Sequence, residues 1–153
     1  MSKTRLVGGV LAAAIAFVGG WEGLRLYSYK DVVGVWTACY GETRGIKPGM
    51  KFTKAQCDKQ FAARLVEFET GMRRCLKQPD TLPQETYLAF LSLSYNIGTN
   101  AFCRSTVVRR ANSGNLRGAC DAMTMWNRGG GRVIQGLVNR RADERKLCLK
   151  GLR

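Results

Sequence analysis

The stretch WEGLRLYSYKDVVGVWTACYG, Trp21 to Gly41, changes character twice within a few residues. Up to Glu22 the chain is apolar and helical in pattern, and Gly23 is a residue that ends helices. From Leu26 to Tyr40 it is rich in Tyr, Val, Trp and Thr, with Asp31 and Gly34 as turn formers, the composition of short strands in a small sheet. If Leu11 to Glu22 is one helix, Leu11, Ile15, Val18 and Glu22 share a stripe, and Glu22 stands at the edge of a buried face. A partly desolvated carboxyl at such an edge suits a general acid. Asp31 falls in the turn of the sheet and Thr37 on the strand after it. Taken one at a time, each also has a plain structural reading: helix-end charge, turn former, strand residue.

Downstream, Pro48-Gly49 marks a turn and Thr53 caps a helix expected to run to about Leu76, with apolar residues at Phe61, Leu65, Phe68 and Met72. Pro79 to Pro83 breaks it. From Gln84 to Arg145 the pattern is helical almost throughout. Tyr87 to Tyr95 is apolar enough for a central buried helix, and shorter helices are expected at Ser105 to Asn112, Leu116 to Trp126 and Asn139 to Leu149. Gly98, Gly114 and the Gly129-Gly130-Gly131 run punctuate them. The expected fold is α+β and mostly helical: an N-terminal helix, a small sheet lobe, a long connecting helix and a helical lobe, with a cleft between lobes as the natural substrate site.

Upstream, Lys3 and Arg5 precede sixteen uncharged residues, Leu6 to Trp21. A positive start before an apolar run is an export pattern. As a helix the run spans about 24 Å, short of a hydrocarbon core of roughly 30 Å. Eight of the fifteen residues from Leu6 to Gly20 are Gly or Ala, so insertion gains only about −2 to −4 kcal/mol. Three readings stand: a peptide cleaved near Ala14-Ile15-Ala16, a buried core helix, or a transient anchor that is exported, arrests in the membrane and later leaves it. The third is favoured, because cleavage after Ala16 would leave only five residues before Glu22.

The 153 residues suffice for one domain with a real core. None is His, which excludes Ser-His and Cys-His dyads and every imidazole metal site. The six cysteines contain no CxxC pair, so a four-thiolate zinc site is not expected either. No metal and no cofactor are called for, and catalysis must rest on carboxylates, hydroxyls, Lys, Arg or Tyr.

The order and spacing of the polar residues in the opening stretch add to this. Trp21-Glu22-Gly23-Leu24-Arg25-Leu26, Tyr29-Lys30-Asp31, Gly34-Val35-Trp36-Thr37 and Tyr40-Gly41 closely resemble the active-site region of bacteriophage lysozymes (endolysins) of glycoside hydrolase family 24. There a Glu, eight residues, an Asp, five residues and a Thr form the catalytic set, and Glu22, Asp31 and Thr37 match it. The resemblance continues through Tyr95-Asn96-Ile97-Gly98, Ser105 to Arg109, Trp126 with its glycine run, and Gly136 to Glu144. It implies a lysozyme-like two-lobed fold and cleavage of the N-acetylmuramic acid–N-acetylglucosamine bond of peptidoglycan for host lysis. Glu22 would protonate the leaving oxygen, and Asp31 with Thr37 would place a water on the opposite face of the sugar. That is the inverting arrangement, with carboxyls roughly 6.5–9.5 Å apart. Arg140 matches a family arginine with an orienting and charge-stabilising role. Cys39 stands where the family has Gly, and Glu42 where it often has His.

The weak apolar segment overlaps the helix that would present Glu22, as in the signal-arrest-release subgroup of endolysins. Residues 1–21 then form the arrest-release segment, partly becoming the first helix, and residues 22–153 the muramidase domain. The resemblance implies an inactive form on the periplasmic face of the host inner membrane and an active periplasmic one, expected to be a monomer. The rival enzyme is a lytic transglycosylase, which needs one catalytic Glu and leaves an anhydro sugar. Asp31 and Thr37 argue against it. The rival from another class is a non-enzymatic cationic protein that binds membranes or nucleic acid.

An even cysteine count in an exported protein points to disulfides. Cys120 with Cys148 is favoured because both fall on C-terminal helices, Cys39 with Cys57 would tie the sheet to the connecting helix, and Cys75 with Cys103 remains; several free buried thiols are the alternative. The N-terminal segment has no cysteine, so regulation must be positional rather than by thiol exchange. The net charge of +14 suits an acidic polymer. Arg73-Arg74, Arg109-Arg110, Arg140-Arg141 and Arg145-Lys146 are expected on a solvated basic face. No zinc finger, basic heptad region or aromatic-basic RNA motif supports specific nucleic-acid binding.

Overall fold

Helix α1, Gly8–Glu22, opens a computed structural model that describes residues 3–153; Met1 and Ser2 of the expected N-terminal segment lie outside the described residues. The chain divides into one unit spanning Leu6–Val66 and a second made of Glu67–Arg153 with the N-terminal residues through Arg5.

In the first unit, α1 buries Ala14, Val18 and Gly19, while Leu11 and Ile15 are only half-buried. The expected stripe is therefore rotated toward the small residues. The reason is a close approach at Gly19, where a Cβ would lie 2.9 Å from Tyr40 Cε1 and 3.3 Å from Phe61 Cε2. Those two rings are stacked at 4.5 Å. Among the described residues no helix is long and apolar enough to cross a membrane. Strands β1 (Arg25–Lys30) and β2 (Trp36–Cys39) pair antiparallel, Tyr29 opposite Thr37 and Lys30 opposite Trp36, with an irregularity between Arg25 and Tyr29. β1 also bonds to the segment before the long helix, Ser28 N to Met50 O at 3.0 Å and Phe52 N to Leu26 O at 2.8 Å.

Helix α2, Lys54–Cys75, begins with a capping box. Gln56 N donates to Thr53 Oγ1 at 3.1 Å, and Thr53 N donates to Gln56 Oε1 at 2.8 Å. The division of the chain falls inside this helix. Its buried positions recur at helical spacing, Cys57, Phe61 and Leu65 in the first unit and Glu69 and Met72 in the second, with Leu76 buried just past its end. Phe68, expected in that stripe, is half-buried against Tyr95, and its neighbour Glu69 takes the buried position.

In the second unit, α3 (Gln84–Ile97) has every residue from Thr86 to Ser94 buried and packs chiefly against α7 (Gln135–Lys150). Between them come α4 (Thr99–Cys103), α5 (Thr106–Asn112, capped by Ser105) and α6 (Leu116–Ala122, capped by Asn115). The helix expected to reach Trp126 gives way at Met123–Met125 to a 3-10 turn. The glycine run then forms a hairpin, β3 (Arg128–Gly129) with β4 (Arg132–Val133). Gly130 and Gly131 both have positive φ, 56° and 78°, which a two-residue hairpin turn demands. α7 starts at Gln135, a turn earlier than the expected Asn139.

The structure pairs Cys39 with Cys57, Cys75 with Cys103 and Cys120 with Cys148. Of the paired cations expected on a basic face, Arg74, Arg109, Arg110 and Lys146 are exposed, but three others are not free surface charges. Arg140 and Arg141 are buried beside Glu144, and Arg73 is held by Asp80 and Tyr87. Guanidiniums leave the surface here because a carboxylate and neutral acceptors meet them.

Candidate active site

Glu22 is the last residue of α1, because the chain turns at Gly23, with φ at 79°, and the Gly23 N–H closes the helix on Gly19 O at 2.9 Å. The half-buried Glu22 side chain reaches the turn that follows β2. Oε1 lies 3.8 Å from where a Cβ on Gly41 would be, and Gly41 holds φ at 84°. That turn is tight, with Ala38 and Glu42 exchanging both backbone bonds at 2.9 and 2.8 Å.

Asp31 opens the β1–β2 turn. Its Oδ1 accepts from Val33 N at 3.0 Å and Val35 N at 2.8 Å, while its own N–H donates to Val35 O at 2.9 Å. The carboxylate is thereby fixed in orientation, and Oδ2 carries neither of these two bonds. Thr37 sits two residues into the turn's return strand and is buried, 4% exposed. Its hydroxyl donates to Val35 O at 2.9 Å, which leaves the oxygen itself to accept. Glu22, Asp31 and Thr37 all belong to the unit Leu6–Val66. The turn exposes Val32 and Val33 almost fully.

Two supports under this site have no counterpart in the sequence reading. Glu42 binds Arg64 through both oxygens, at 2.8 and 3.0 Å, and accepts from Arg44 N at 2.9 Å. Burial alone would push its carboxyl up, but the Arg64 hydrogen bonds, the Arg44 amide and the two positive charges hold it below the usual carboxylate range. Tyr40, whose ring lies against Gly19, donates to Asp58, and Lys54 donates to Asp58 at 2.7 Å. Burial and then the Asp58 carboxylate push the Tyr40 hydroxyl up to about 12. Glu42 and Arg64 are 22 positions apart, so no local pattern joins them.

Arg140 lies on α7 in the other unit. Its Nε is 3.3 Å from Glu144 Oε2, and its Nη2 lies 3.4 Å from Ser92 O and Oγ. Arg141 Nε lies 2.7 Å from Glu144 Oε1, and Ser92 Oγ donates to Oε2 at 2.5 Å. Burial pushes the Glu144 carboxyl up, against the pull of Arg141, Ser92 and Arg140. Among the described residues no group of three or more Cys, Asp or Glu side chains is placed to hold a metal ion.

The chain is similar in sequence and fold to known proteins. The family described as phage lysozyme matches residues 19–144. A SAR-endolysin of Bacteriophage PS119 is 37% identical over 150 residues, covering 94% of this chain and 89% of that protein. Among solved structures, an endolysin from Escherichia coli O157:H7 phage FAHEc1 superposes with a TM-score of 0.81 at 32% identity, covering 97% of this chain and 94% of the other. A P22 lysozyme variant gives 0.82 at 33% identity, over 90% and 96% of the two chains.

Proposed function

As the chain belongs to the phage lysozyme family and is a glycoside hydrolase of the lysozyme class, we propose that it hydrolyses the N-acetylmuramic acid–N-acetylglucosamine β-1,4 bond of peptidoglycan, with Glu22 as general acid and Asp31 and Thr37 placing the water. The observation that carries this is the disposition of hydrogen bonds around Asp31 and Thr37. The amides of Val33 and Val35 occupy one carboxylate oxygen, and the Thr37 proton is committed to a carbonyl. Both groups are left as acceptors for the two protons of one water, which turns a lone pair toward the sugar. As Glu22 gives its proton to the leaving oxygen, water attacks the anomeric carbon and its proton passes to Asp31, so the product has inverted configuration. Arg140 takes the orienting and charge-stabilising part.

The same proposal extends to location. Relatives carry the name SAR-endolysin, and the weakly apolar run ends in the helix that bears Glu22. While Leu6 to Gly20 lies in the host inner membrane, Glu22 is held at its face, away from Asp31 and Thr37. Release into the periplasm lets the segment fold as α1 and makes the enzyme active.

Mass spectrometry of fragments released from purified peptidoglycan tests the chemistry, wild type beside Glu22→Gln. Hydrated reducing muramic acid from wild type only is expected, with a rate loss of at least about a hundredfold in the variant. Anhydro fragments would make the protein a lytic transglycosylase, and equal fragments from both proteins would remove Glu22 from the mechanism.

A further inference from the structure

Glu69 is 1% exposed on α2 and has no part in the mechanism above. Three donors converge on it. Thr4 Oγ1 donates to Oε1 at 2.6 Å, Arg5 N donates to Oε2 at 2.9 Å, and the Tyr87 hydroxyl also donates to Oε2. The Arg5 guanidinium, meanwhile, donates to the carbonyls of Pro79 at 3.0 Å and Leu82 at 2.8 Å, and stacks 4.3 Å above the Tyr87 ring. Arg73 completes the set by donating to the Tyr87 hydroxyl at 3.1 Å and to Asp80 at 2.7 Å. A buried carboxylate, an aromatic face and two backbone carbonyls thus receive one short basic segment through backbone, side chain and charge at once.

We propose that Glu69, Tyr87 and the Pro79 and Leu82 carbonyls form a receptor site for the chain's own Thr4-Arg5 segment, and that its occupation holds the enzyme in its released form. The inference rests on the membrane-anchored reading of Leu6 to Gly20. Thr4 and Arg5 precede that run and Glu22 follows it. While the run lies across the bilayer, its basic N-terminal flank stays on the cytoplasmic side, and the site in the periplasm is empty. Occupation requires both ends of the segment to be on one side, so the site responds to complete release and not to partial withdrawal. By linkage, each contact made only in the released form shifts the equilibrium toward it. A charge-assisted hydrogen bond is worth about tenfold.

The test uses the full chain on a Glu22→Gln background, so that cells survive, and compares membrane and soluble fractions for Arg5→Ala and Thr4→Val. Hydrogen exchange at the Arg5 amide is followed in the purified proteins. The expected result is a protected Arg5 amide in the parent and a membrane-to-soluble ratio about tenfold higher in Arg5→Ala. An Arg5 amide exchanging at the rate of an unstructured peptide overturns the receptor site. A protected amide with an unchanged ratio overturns its hold on release. A parent protein absent from membranes at all times overturns the anchored reading and this inference with it. Both variants lie outside the buried core of the unit, and Glu69→Gln, which keeps an acceptor but loses the charge, provides a second perturbation from the receptor side.

Discussion

Cys39 carries φ at 58°, the only non-glycine residue with positive φ among those described. A side chain in that region costs about 1–2 kcal/mol, and the family resemblance has glycine there. The position tolerates Cys because its sulfur is joined to Cys57, at the start of α2. Strain and cross-link can be separated. Cys39→Gly with Cys57→Ala should be more stable in urea than Cys39→Ala with Cys57→Ala, by about 1 kcal/mol. Equal midpoints would mean that the turn relaxes once the bond is gone. The same scale explains what was legible at the site. Glu22, Asp31 and Thr37 lie within sixteen residues, so their spacing is a local signal. The Glu42–Arg64 pair and the Glu69 site join distant segments through single side chains, and no spacing rule marks them.

Among the elements, α1 on the proposed anchored reading has to suit both lipid and the folded enzyme, and its glycines would divide the work. Gly19 is pressed against Tyr40 and Phe61, whereas a side chain on Gly20 meets nothing within 4 Å. Gly20→Leu should therefore raise membrane retention and delay lysis, with little change in the stability of the folded enzyme. Gly19→Ala should do the reverse, leaving retention nearly unchanged while destabilising the fold by about 1–3 kcal/mol. Fractionation together with urea melts of purified protein distinguishes them, and indistinguishable effects would remove this division. Periodicity made α2 and α3 legible, since their buried faces recur at helical spacing or fill the whole circumference. It could not show which face of α1 is buried. An apolar count favours Leu11 and Ile15, but close approach of the Tyr40 ring selects the small residues. The 128–133 hairpin was hidden for a related reason, as a glycine run is equally consistent with a break and with a tight turn.

At the scale of the whole molecule, acid stability follows from the carboxylates. Glu42 and Asp58 are held below their ordinary range, Asp58 chiefly by Lys54 and then Tyr40. Groups with depressed values contribute stability that is complete above the unfolded-state value of about 4.3 for Glu and is lost as pH falls through the folded one. Glu144, pushed up by burial, contributes in the opposite direction. Urea melts between about pH 6 and pH 3 should show wild type losing stability on acidification and Glu42→Gln losing it less steeply. Parallel slopes would mean that the Arg64 pair contributes nothing to acid sensitivity. The three disulfides have a consequence of another kind. They join residues 18, 28 and 28 positions apart, and loops of that length contribute on the order of 3 kcal/mol each. A small domain's entire margin is about 5–15 kcal/mol. On the proposed route to the periplasm, the newly made chain in the reducing cytosol, where thiols stay unpaired, forfeits most of that margin, so the ribosome's own compartment would act as a chemical quarantine lifted on export.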